Sequence, residues 1–198
     1  MYRQEEQTRA ALGGVAGNAR LTAAVAVALL VLLAAEGVTI PFIGSLLGPH
    51  IFIGMLLIPP VLAKLASTGY RFARYYQGSA EYVLKGPPPI GLRLLAPGVV
   101  LTTLALFGTG VALLVAGPPS QTLIFAHKVS FIAWVGLMAI HVLGHLLELP
   151  SLALPDWRRG TPMTRVAGSG LRLIAFGTTL LAGVLLAFLA LPAAGSWL

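Results

Sequence analysis

Most of the chemistry this sequence can do rests on four histidines. Three of them, His127, His141 and His145, fall in the stretch HKVSFIAWVGLMAIHVLGHLLE, residues 127–148, and the fourth, His50, opens another apolar stretch. Neutral imidazole is the commonest metal ligand among side chains and an axial ligand of haem iron. The chain has no cysteine. Disulfides, iron–sulfur ligation by the chain and covalent c-type haem attachment are therefore excluded.

Spacing sets which histidines can act together. On a helix, the fourteen residues from His127 to His141 leave a lag of about 40° and a depth difference of roughly 21 Å. The eighteen residues to His145 are a whole number of turns and roughly 27 Å. His127, His141 and His145 thus share one helical stripe with Phe131, Trp134 and Met138.

The elements that position these residues are membrane spans. Hydrophobic residues make up 57% of the chain and charged ones 10%, against roughly 25% charged in soluble domains. Windows such as 21–35 and 99–117 carry no charge at all, as expected of segments solvated by lipid. Five spans are read: 21–40, from His50 to about Ser67, 97–116, from about His127 to Pro150, and 171–191. Pro97 suits the first residue of its span, and Pro59-Pro60 predicts a kink in the second. Residues 69–96 form the longest loop, aromatic and basic, broken by the run Gly86-Pro87-Pro88-Pro89. The domain reading is a cytoplasmic tail over 1–20, a four-helix transmembrane bundle over 21–150, a cytoplasmic basic loop over 151–170, and a fifth span with a short outer tail over 171–198.

The net charge of +7 is better explained by topology than by nucleic acid. With the N-terminus inside, three Lys or Arg lie in the tail, five between Lys64 and Arg93, and four between Arg158 and Arg172. Only Lys128 falls outside, so the positive-inside rule is obeyed and a multi-pass protein of the cell (plasma or inner) membrane is expected. The second and fourth spans then run in the same direction, and His50 and His127 both start at the outer face. Two imidazoles on different helices at one depth are what a low-spin b-type haem needs, with an apolar bundle core as its slot. Alternatively, the two are interfacial helix-end residues. Intramembrane ionisable residues are costly and usually functional.

At these residues the chain resembles the cytochrome b family of quinol-oxidising complexes, and small bacterial membrane cytochromes with it. In that family the second and fourth helices each carry two histidines about fourteen positions apart, which clamp two haems. His127 and His141 match the pair on the fourth helix, and His50 matches the outer position of the second. The inner position of the second helix is Lys64. The resemblance spans roughly residues 21–150 and implies a haem b between His50 and His127. A second haem, at His141 or His145, would take Lys64 as its other ligand or none. The remaining reading of Lys64 is snorkelling, or a pair with Glu148.

Other residues have two readings each. Arg71, Arg74 and Arg93 suit inner haem propionates or anionic headgroups, and Lys128 suits an outer propionate. Glu36 suits a pair with Lys128 or a place near a quinone. Gly54, Gly108, Gly110, Gly136 and Gly144 permit close approach of a macrocycle or of a neighbouring helix. The sequence-level expectation is an all-α integral membrane protein with five transmembrane helices and a cytoplasmic N-terminus, helices one to four forming a haem-binding bundle. It is expected to act as the electron-transfer subunit of an oxidoreductase, between a quinone pool or another donor and a redox partner. Its partners would be the bilayer and other redox or respiratory-complex subunits, not nucleic acid or a soluble small molecule. Two alternatives stand beside it: a cofactor-free scaffold or transporter component, and a metal-binding protein built on His141, His145 and Glu148.

Overall fold

The computed structural model describes residues 14–87, 89–118, 120–145 and 168–197. These residues are helical, with no strand among them. Helix α1 is Gly14–Thr39, followed by a 3-10 turn at Ile40–Phe42; α2 is Ile43–Tyr76, and a short α3 is Ala80–Lys85. The longer α4, α5 and α6 are Ile90–Ala116, Gln121–His145 and Ser169–Ala194. Four helical runs are long and apolar enough to cross a membrane, and the first of them, Gly14–Tyr76, contains both α1 and α2.

The helices reach beyond the apolar windows. α1 begins seven residues before Leu21, and α2 runs to Tyr76. Much of the loop expected over 69–96 is therefore helical, through the end of α2, all of α3 and the start of α4. Backbone hydrogen bonding continues past the first charged side chain, where hydropathy stops. α4 likewise begins at Ile90, with Pro89 as its N-cap residue, so Pro97 lies inside the helix and not at its first position.

The prolines of α2 also act differently from expectation. The non-helical residue inside α2 is Leu46, at φ −113° and ψ 21°. Pro49 cannot donate to the Ser45 carbonyl and its ring presses on it, and the backbone yields one residue further on. Pro59-Pro60 leaves the helix unbroken. Its missing N–H groups instead free the carbonyls four residues back, at Met55 and Leu56. Gly183 of α6 packs on the Leu56 carbonyl so closely that no Cβ fits between them. The backbone of α6 at Gly183 thus covers the carbonyl whose donor Pro60 removes.

The chain forms two units. The described parts of the first are 14–31, 59–87 and 168–182. Its contacts include Asn18 Nδ2 to the Ser67 carbonyl at 3.3 Å, Thr22 Oγ1 to Ser67 Oγ at 3.0 Å, and T-stacked Tyr70 and Tyr82. The described parts of the second are 32–58, 89–118, 120–145 and 183–197. Here α4 and α5 form an antiparallel hairpin: Gly98 lies against Leu137, Gly144 against Leu92, and the buried Trp134 Nε1–H donates to the buried Thr103 Oγ1 at 3.0 Å. Phe52 of α2 and Phe188 of α6 meet edge to face at 5.3 Å.

Candidate functional site

His50 stands seven residues into α2 and His127 six residues into α5. The structure brings the two histidines side by side, and each lies within its helix and not at its start. Both belong to the second unit. Their ring centroids are 6.4 Å apart, with the rings nearly perpendicular at 86°.

A threonine holds each ring at Nδ1. Thr39 Oγ1 lies 2.8 Å from His50 Nδ1 and also donates to the Glu36 carbonyl. A hydroxyl has a single proton. Once that proton is spent on the carbonyl, Thr39 can only accept from the ring. The Glu36 carboxylate, 2.9 Å from the same Nδ1, is an acceptor as well. His50 therefore carries its proton on Nδ1. The same count holds across the site: Thr109 Oγ1 donates to the Ala105 carbonyl at 2.7 Å and accepts from His127 Nδ1 at 3.0 Å. With Nδ1 protonated on both rings, the lone pair of each imidazole is on Nε2.

Glycine makes room for this arrangement. A Cβ at Gly110 would stand 3.2 Å from His127 Cε1, so the ring rests against the backbone of α4. A Cβ at Gly54 would meet Glu36 Oε1 at 3.5 Å, an ordinary contact. Gly98 and Gly144 serve the α4–α5 contact described above, and nothing lies within 4 Å of a Cβ built at Gly108 or Gly136.

Two imidazoles bound in trans through Nε2 to one metal, at about 2.0–2.1 Å each, have centroids roughly 6.3 Å apart, whereas a tetrahedral metal brings them to roughly 5 Å. The observed 6.4 Å is wide enough for one metal atom between the rings, and His50 and His127 would hold it through neutral Nε2 atoms if both Nδ1 atoms are protonated. No family model matches this chain, and no curated protein or solved structure matches it.

The other residues singled out in the sequence sit elsewhere. His141 and His145 meet edge to face, centroids 4.9 Å apart, near the end of α5 in the second unit. Glu148, offered with them as a metal ligand and as a partner for Lys64, lies outside the described residues. Among the described residues no group of three or more His, Cys, Asp or Glu side chains is placed to hold a metal ion. Lys64 belongs to the first unit, where its Nζ donates to the Thr22 carbonyl at 3.1 Å. Arg71 and Arg74 are in that unit too, and Arg74 Nη2 donates to Ser79 Oγ at 3.1 Å. Lys128, next to His127, is exposed.

Glu36 pairs with His50 and not with Lys128. Thr39 and Thr109 were not singled out in the sequence at all. Each meets its histidine from outside that histidine's own helix, so no local spacing marks it. The signal available was composition: a threonine near the apolar end of α1 and another within α4 are polar groups that need partners.

Proposed function

We propose that this protein is a membrane-embedded b-type cytochrome that binds one haem between His50 and His127 and serves as the electron-transfer subunit of an oxidoreductase. The observation that carries the reading is the ring pair, 6.4 Å between centroids; an oxygen acceptor beside each Nδ1 argues for the proton there, which would leave both Nε2 lone pairs for iron. Bound there, haem b supplies a one-electron carrier whose potential is tuned by its axial ligands and their hydrogen bonds. The chain's own residues hold and orient the ligands. Thr39 and Glu36 fix the His50 tautomer, Thr109 fixes that of His127, and Gly110 sets the depth at which the His127 ring lies. The pair stands on helices that are long and apolar, which would give a bound haem an apolar surround.

The topology that goes with this reading has five crossings, with α1 and α2 as separate spans. The contacts support it. Glu36 and Thr39 near the end of α1 touch His50 near the start of α2, while Asn18 and Thr22 touch Ser67 in the first unit. That is the pattern of an antiparallel hairpin. A straight helix over the 63 residues of Gly14–Tyr76 would be about 95 Å long, three times the hydrocarbon core. The distribution of Lys and Arg supports a cytoplasmic N-terminus in a plasma or inner membrane. The donor is a quinone pool or another reductant, and the acceptor is a redox partner at the outer face, where the site lies in this orientation.

The test is a dithionite-reduced minus oxidised spectrum with a pyridine haemochrome assay on purified protein. One haem b per chain is expected, with a sharp alpha band, and either His50→Ala or His127→Ala should lose it. Protein free of haem after expression with ample haem supply overturns the proposal.

A further inference from the structure

The two ligands are held unequally. His127 Nδ1 meets a neutral hydroxyl, Thr109, whereas His50 Nδ1 meets a hydroxyl and a carboxylate. The Glu36 side chain is only 15% exposed. Its Oε2 is buried and has no hydrogen-bond partner among the described residues. A buried carboxylate with one oxygen unmatched is costly unless a positive charge compensates it. The His50 ring, to which its other oxygen is bonded, leads directly to the iron position.

We infer that Glu36 is a positioning residue that gives His50 anionic character and sets the redox poise of the site. This rests on the cytochrome reading and deepens it. The ferric centre carries one more positive charge than the ferrous one, so a carboxylate bonded to the axial ligand favours the oxidised state. It does so from a poorly hydrated position, where charge interactions are strong. A carboxylate acceptor is also roughly twice as strong as a neutral one and raises the basicity of the ligand. The site is therefore asymmetric by construction: His50 is the electron-rich ligand and His127 the ordinary one. The centre is poised to give up its electron more readily than one held by two hydroxyl-bonded histidines.

The test is a spectrophotometric redox titration of the full chain, wild type against Glu36→Gln. The amide still accepts from Nδ1–H and keeps the shape, but the charge is gone. Haem is expected to remain bound, with the midpoint potential shifted upward. Thr39→Val keeps the carboxylate and is expected to shift the potential less. Glu36→Ala removes the charged one of the two acceptors, leaving Thr39 Oγ1 at 2.8 Å, and should weaken haem binding by up to roughly 10-fold. If wild-type protein holds haem and Glu36→Gln leaves its potential unchanged, the role of Glu36 is overturned while the cytochrome reading stands. Equal shifts in Glu36→Gln and Thr39→Val likewise overturn the assignment to the charge. If the wild type holds no haem, both fall together.

Discussion

Thr109→Val tests the proton count at the site with little change of shape. Valine replaces the hydroxyl by a methyl group of similar size, so the packing of α4 against α5 is kept. Two interactions go: the hydroxyl's donation to the helix carbonyls, Ala105 at 2.7 Å with Leu106 at 3.0 Å sharing the proton, and the bond from His127 Nδ1 at 3.0 Å. The first loss is cheap, because Ala105 keeps its helical N–H partner. The second leaves the Leu106 carbonyl as the remaining acceptor for the Nδ1–H of a half-buried ring, and a strained or lost bond there costs about 1–3 kcal/mol. The ring can avoid this by moving its proton to Nε2, but that tautomer has no lone pair for iron. Either way haem affinity should fall by roughly 10–100-fold, which is also the usual effect of removing a ligand's hydrogen-bond partner. At about 1.4 kcal/mol per tenfold the two figures agree. The assay is the rate of haem transfer from purified protein to an excess of apomyoglobin, with Thr109→Ser as the rescue. Serine keeps the hydroxyl and should restore near-wild-type retention. Equal retention in wild type and Thr109→Val would refute the tautomer argument, and so would a serine variant as leaky as the valine one.

Two further outcomes follow from the packing. Gly183→Ala places a methyl group against the Leu56 carbonyl, where the backbone has no slack; it should destabilise by about 1–3 kcal/mol, read as a lowered melting temperature in detergent, and a variant melting with wild type would remove the proposed role of that contact. Lys64→Met deletes one charged hydrogen bond, from Nζ to the Thr22 carbonyl, and with it a costly charge in a poorly hydrated site. The haem count should stay at one per chain, whereas a wild-type count of two falling to one would assign Lys64 to a second haem.

The helical spans were legible because apolar runs of bilayer length leave little alternative. Their ends were not. The first charged residue closes a hydropathy window, but residues 14–20 and 68–76 go on making helical hydrogen bonds beyond it. Pro97 has the chemistry of a helix start, yet Pro89 supplies one about two turns earlier. Pro59-Pro60 reads as a kink until a neighbouring backbone is seen to cover the carbonyl it frees. At the candidate site, the pairing of His50 with His127 was legible because depth depends only on counting residues along two spans. Their partners Thr39, Glu36 and Thr109 depend on how each helix is rotated about its axis, and a single residue changes that by about 100°. Nothing in the sequence of one helix fixes the rotation of its neighbour.

The contact between Gly183 and the Leu56 carbonyl also bears on how the protein is made. Pro60 and Leu56 leave the ribosome more than a hundred residues before Gly183 does. At about 5–20 residues per second that is a wait of roughly 6–25 s. During this interval the Leu56 carbonyl lacks both the N–H that Pro60 cannot supply and the cover that Gly183 later gives. The last helix thus closes a defect that the second helix carries from birth. Nascent chains lacking α6 should be recognised by membrane quality control as unfinished.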